Sequence, residues 1–283
     1  MPRIAIITDT DSSLPDDIAR RNHIYQIPIT VQFGEESFTT GANLDDKELF
    51  EMIDRRKKLP TTAAPSPDAF FRAFHKAFDE GYDEIICICV SSKISATYQA
   101  ALSAAEMLPG KDITIVDSLN LCMAQGFIVL AAAEAAALGL SKDEIIKKIV
   151  NIQPRIHVYA ALPTLKYLAM GGRMSKLSAG VADTLDIKPL LSSREGKLEL
   201  LEKVRTMRKA EDRLLELARA CIDEKQIESI ALIHVNNLPG AKALFDKLKT
   251  ALQIEVDPIY AEFTPGLSVH AGSGVIGFVL VIK

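Results

Sequence analysis

Apolar residues fall in short runs that alternate with polar turns and with longer stretches of helical spacing. Residues 4–7, 84–90 and 113–116 are β-rich apolar runs, and each leads through a polar turn into a helical stretch. Strand, turn and helix in repetition predict a parallel α/β sheet. Between the first two runs lie an extended pair around Gly34-Glu35 and a helix over 45–56. A second helix follows, which Ser66 can cap, with Pro67 at its first position, where a missing N–H breaks no bond. Residues 59–65 between these helices contain Pro60 and Pro65, which bias their predecessors away from helix, so the segment reads as a stiff polar loop carrying Thr61 and Thr62. Residues 121–140 are alanine-rich and hold Gln125 and Glu134, the pattern of a buried helix and not of a membrane span. Ser141 and Glu144 have capping-box spacing and open a helix near 142–150.

Beyond residue 151 the texture changes. The pattern predicts a strand over 156–162, a helix through Tyr167, a break at Gly171-Gly172, and strands over 188–191 and 197–203. A helix over 207–222, a strand over 230–235, a helix over 241–252 and two closing strands complete the chain. Strands that follow one another directly, as well as across helices, indicate α+β. The expectation is an N-terminal parallel-sheet α/β domain over 1–153 and a C-terminal α+β domain over 154–283, joined near 151–155.

Length agrees, because 283 residues fall where single cores usually stop growing, which suits two packed domains or one large one, with two the expectation. With 33 Lys and Arg against 37 Asp and Glu the chain is slightly acidic, which argues against nucleic acid as a partner. The mean hydropathy of +0.13 leaves apolar volume for a core and for an apolar ligand. The first apolar run is too short for a signal peptide, and the four cysteines are too scattered for a disulfide framework. Free thiols and a cytoplasmic location are expected.

Gly272-x-Gly274-x-x-Gly277 spells a dinucleotide fingerprint, but it leads into a terminal apolar strand and not into a helix, so a turn is expected there. The five histidines form no i, i+4 pair, and no metal or other cofactor is expected. Cys87 and Cys89 share one face of a strand, as small core residues do. Three polar places remain: the Thr61-Thr62 loop, the segment from Ser91 to Gln99, and His270 in a glycine-rich turn. The second lies where a strand of a parallel sheet passes into a helix, so Ser95 and the amide of Ala96 are placed for an anion. Simple N-capping by Ser92 or Ser95 is the alternative.

Ser91-Ser92-x-Ile94-Ser95-x-Thr97-Tyr98-Gln99-x-Ala101 resembles the S-S-x-L-S-G-T-Y-x-x-A segment of the DegV family of bacterial fatty-acid-binding proteins. Thr8-Asp9, Asp117-Ser118, Gly171-Gly172-Arg173, Lys188-Pro189, Arg205 and His270-x-Gly272-x-Gly274 follow in the order of that family. The resemblance implies two domains with one long-chain fatty acid between them, its tail in an apolar tunnel. It further implies that Thr62, Ser95, Ala96 and His270 hold the carboxylate. A separate ATP-dependent fatty acid kinase would phosphorylate the bound acid for phospholipid synthesis, and the binder itself would have no catalytic cycle. Transient contact with a membrane surface is compatible with that role. Arg173 and Arg205 either dock the kinase or brace a glycine turn, and Lys176, Lys188 and Lys203 would make the surface near them basic. The chain departs from the family pattern at Ala63-Ala64, where T-S-Q-P is usual, and at Ala96, where glycine is usual; Ala96 requires a turn of ordinary negative φ. Two other readings stay open: a hydrolase with Ser95 as nucleophile, His270 as base and Asp9 or Asp117 as orienting acid, and a small-molecule sensor.

Overall fold

A computed structural model describes residues 2–41, 43–173, 187–222 and 226–283. Lys176 lies outside the described residues. The N-terminal half carries a four-stranded, fully parallel sheet in the order β2-β1-β6-β7, made of β1 (Ile4–Asp9), β2 (Tyr25–Ile27), β6 (Glu84–Cys89) and β7 (Asp112–Asp117). A small antiparallel sheet stands beside it, with β3 (Thr30–Phe33) flanked by β4 (Glu36–Thr39) and β5 (Thr61–Ala63). The C-terminal half forms a mixed six-stranded sheet in the order β10-β9-β8-β13-β11-β12. Its strands are β8 (Ile156–Ala161), β9 (Lys188–Arg194), β10 (Lys197–Val204), β11 (Ile227–His234), β12 (Ile259–Glu262) and β13 (Ile276–Ile282). A parallel sheet with helices, followed by an α+β half, is the fold class expected from the sequence.

One helix decides how the two large sheets meet. α5 (Cys122–Ala137) is apolar nearly all round, with Gln125 and Glu134 its only polar side chains, and a helix of that kind is buried on most of its surface. It packs on β1 and β6 from one direction and on β8, β11 and β13 from the other, so both sheets share one core. α6 (Lys142–Ile152) lies beside it, its first turn closed by the Ser141 and Glu144 bonds that the capping-box spacing predicts. The outer face of the parallel sheet is covered by α3 (Pro67–Asp79) and α4 (Thr97–Glu106). The outer face of the mixed sheet is covered by α8 (Met207–Ile222) and α9 (Leu238–Leu252).

Two local expectations are corrected. Residues 61–63 are not a loop but strand β5, with Thr62 opposite Val31 of β3; the two flanking prolines exclude helix and leave extended backbone free to pair. His270 sits not in a turn but in the last turn of α10 (Pro265–Ala271), a seven-residue helix opened by Pro265, too short for its periodicity to show. α1 (Asp16–Arg21) and β2 are likewise too short to read from pattern. α2 (Asp46–Arg56) and the short α7 (Lys166–Met170) are the remaining α-helices among the described residues, and α10 packs against both as well as against β3. That wedge brings the C-terminal half to the small antiparallel sheet.

Candidate functional site

In the parallel sheet, β1 has β2 on one side and β6 on the other, so the chain reverses its order between β1 and β6. Ligands of open α/β sheets bind outside the carboxyl ends of the strands at such a point. A cavity of about 500 Å³ lies there, within the range that holds small ligands. Asp11 reaches it from beyond β1, Val90, Ser92, Ser95 and Ala96 from beyond β6, and Thr62 from β5. Its far wall is apolar: Val158 and Ala160 of β8, Leu191 of β9, Ile233 of β11, and Phe263 and Leu267 beside or on α10.

The polar residues expected to act together do share this cavity. Thr62 Oγ1 and His270 Nε2 are 3.0 Å apart, a hydrogen bond that joins the two halves of the chain. Ser95 Oγ accepts from the Thr97 amide at 3.3 Å and is 2.9 Å from Thr97 Oγ1. Ser95 therefore steadies the start of α4 while lining the cavity, so the capping and ligand readings are compatible. Ala96 has φ −83°, the ordinary turn that its side chain requires.

Burial pulls the His270 imidazole down to about 4, helped by the positive charge of Arg173, so it is neutral at physiological pH. Its Nδ1 has no hydrogen-bond partner among the described residues and packs on Gly171, where a Cβ would lie 2.2 Å away. Gly171 thus makes room for this ring, while Gly172 supplies the positive φ of +71° that ends the helix. Arg173 lines the cavity and its Nη1 donates to Gly171 O at 2.7 Å, which is the bracing alternative for this residue; Arg205, between β10 and α8, is exposed. Lys188 donates to Pro163 O at 2.8 Å.

Behind the cavity, Asp9 accepts from the Val90 amide at 2.8 Å, from Gln125 Nε2 of α5 at 3.2 Å and from the Asp11 amide at 3.0 Å. These bonds tie the ends of β1 and β6 together. Ser91 Oγ donates to Gly196 O at 2.7 Å and pins the β9–β10 hairpin over the same edge. Asp117 accepts from the Ser92 and Leu119 amides. Sequence reading missed Gln125 and Asp11 as parts of the site. Asp11 had a signal, being the second acid of Thr8-Asp9-Thr10-Asp11 at a strand end. Gln125 had none beyond being polar in an apolar helix. Among the described residues, no group of three or more His, Cys, Asp and Glu side chains is placed to hold a metal ion.

A family model described as an uncharacterised protein of the DegV family matches residues 3–283. This chain belongs to the DegV family. A DegV domain-containing protein of Listeria monocytogenes is 32% identical over 281 residues, covering 99% of both chains. The crystal structure of DegV from Bacillus subtilis, described as a fatty acid binding protein, superposes with a TM-score of 0.90 at 30% identity over 100% of both chains. A DegV family protein from Thermus thermophilus, described by its fatty acid binding, superposes with a TM-score of 0.91 at 26% identity, over 99% of this chain and 100% of that one.

Proposed function

We propose that this DegV family chain binds one long-chain fatty acid in the interdomain cavity and presents its carboxylate to an ATP-dependent fatty acid kinase in the cytoplasm, for acyl-phosphate formation and phospholipid synthesis. The observation that carries the reading is a largely apolar cavity lined also by the hydrogen-bonded Thr62–His270 pair, its imidazole neutral, and by Ser95 and Ala96. The family relatives described as fatty acid binding proteins support the same ligand class.

The energetics suit a carrier. Each buried methylene contributes about 0.8 kcal/mol, so ~14 of them supply roughly 11 kcal/mol before ordering costs. Tail burial therefore sets affinity, and the head group needs orientation more than attraction. Hydroxyls, an amide and a neutral imidazole orient a carboxylate and leave an oxygen nucleophilic toward ATP. The acid is already ionised at neutral pH, so no general base is required. Arg205, exposed at the start of α8, offers a cation to an acidic kinase surface, whereas Arg173 is engaged at Gly171.

A Ser95–His270 hydrolase fits the geometry less well. His270 Nε2 is bonded to Thr62, its Nδ1 faces no carboxylate among the described residues, and Asp9 and Asp117 accept from backbone amides and Gln125 elsewhere. Protein purified from a bacterial host is expected to release about one acyl chain per molecule into organic solvent, read by mass spectrometry. Thr62→Val is expected to weaken rebinding roughly tenfold, since it removes one hydroxyl and leaves His270 Nε2 unpaired. The absence of both a co-purifying chain and saturable binding of added fatty acid would end this reading.

A further inference from the structure

The wall of the cavity is not held equally on every side. β9 and β10 form a hairpin whose tip is the two-residue turn Glu195-Gly196, with φ of +49° and +82°, and Arg194 pairs with Lys197 behind it. β9 pairs with β8 only through Leu190, Leu191 and Ser192, and β10 is the edge of the sheet. Residues 193–198 therefore run on past the mixed sheet with no strand beside them except each other. At the tip, Ser91 Oγ donates to Gly196 O at 2.7 Å, and among the described residues this is the one hydrogen bond between the hairpin and the N-terminal half. Gly196 is buried between two exposed neighbours. A Cβ there would lie 2.6 Å from Ser91 Oγ, 3.1 Å from Lys93 Cγ and 3.2 Å from Leu119 Cδ2, so the tip sits in a notch that only glycine enters.

Leu191, Ser192 and Leu198 of this hairpin line the cavity, as do Ser92, Ile94 and Ser95 of the segment that Ser91 begins. The root of the hairpin is bent: the β9–β10 ladder shifts register between Leu200 and Glu202, a bulge at Leu201 beside the Leu190 and Leu191 that β8 holds. Displacing β8 or β11, which lie inside the sheet, would break strand pairs on both sides. Swinging the hairpin about its bulge breaks one neutral hydrogen bond and uncovers the half-buried Leu198, a small cost for a local opening. We propose that the β9–β10 hairpin is a gate, hinged at the bulge and latched by the Ser91–Gly196 bond, which closes over the bound fatty acid and opens for its uptake and release. This inference rests on the fatty-acid reading above and adds the moving part through which the ligand passes.

The test follows uptake of hexadecanoic acid by lipid-stripped protein and its release from loaded protein into excess albumin. Ser91→Ala removes the latch from free and loaded protein alike, so both rates are expected to rise roughly fivefold while Kd changes by less than about twofold. Ser91→Cys combined with Gly196→Cys puts a disulfide where the latch stands, because a Cβ at position 196 lies 2.6 Å from the Ser91 oxygen. The oxidised form of this variant is expected to exchange lipid roughly tenfold more slowly than its reduced form, which serves as its own folding control. Rates in Ser91→Ala equal to those of the parent, or equal rates in the oxidised and reduced forms, overturn the gate and leave the fatty-acid reading intact. Failure of the parent to bind hexadecanoic acid overturns that reading, and the gate falls with it. Should neither variant fold, hydrogen exchange in the loaded parent decides: the amides of residues 193–198 are expected to open at least as fast as lipid leaves, and protection that outlasts lipid release overturns the gate.

Discussion

At the scale of single residues, the groups around α10 are held in protonation states that their surroundings dictate. Asp46, the first residue of α2, is 4% exposed and accepts from Ser268 Oγ of α10 at 2.6 Å, while its Oδ1 has no partner among the described residues. Burial pushes its carboxyl up to about 8, with Glu262 and Asp45 adding to the rise and the Ser268 bond opposing it. Between pH 4 and 8 the unfolded chain therefore gives up this proton while the folded chain keeps it, so stability falls as pH rises through that window. Asp46→Asn removes the titration. Its advantage over the parent in thermal melts is expected to be small near pH 4, to widen up to about pH 8 and then to level off. A gap that does not change with pH would refute the assignment. The bond between Asp46 and Ser268 joins the two halves two residues from His270, so the same variant reports on a contact that orients α10.

At the scale of elements, spelling and context part company in the terminal glycines. Gly272 and Gly274 adopt φ +87° and +91°, the left-handed region that glycine permits, and form the turn before β13. Gly277 has a different role. It pairs with Ala160 inside the mixed sheet, and a Cβ there would lie 2.3 Å from Tyr159 O. The third glycine of the apparent dinucleotide motif thus lets two strands approach. Gly277→Ala is expected to destabilise the protein by at least ~2 kcal/mol in denaturant melts, because backbone and not a flexible side chain must give way. A loss under about 0.5 kcal/mol would show that the β8–β13 pair adapts.

At the scale of the whole molecule, α5 binds the two large sheets into one core and the cavity opens beside it, with Leu121 and Cys122 in the wall. A ligand there touches both halves, so its binding free energy adds directly to the stability of the folded chain. At a thousandfold excess over Kd that contribution is about 4 kcal/mol. Stripping the lipid is expected to lower Tm by several degrees, and adding hexadecanoic acid to restore it in proportion to the logarithm of its concentration. An unchanged Tm on stripping and reloading would place the ligand elsewhere.

Much of this was legible in one dimension. Hydrophobic periodicity marked the long elements, and α8 runs over the predicted 207–222 because its apolar stripe and polar face repeat cleanly through four turns. Ser66, Ser141 and Glu144 marked helix starts, since capping is settled within four residues of chain. The segment from Ser91 to Ala101 and the placing of Thr62, Ser95 and His270 in one set came through resemblance, which carries long-range order that periodicity lacks. Only the tertiary structure decided that 61–63 pairs with β3, that α10 is helical, and that Asp11 reaches the cavity wall with its Oδ1 buried and unpaired against Gly266. Each of those facts depends on partners far away in the chain, such as Val31 for Thr62 and Gly266 for Asp11. Local propensity and spacing are properties of neighbours in sequence, whereas burial, desolvation and close approach arise only when distant segments meet.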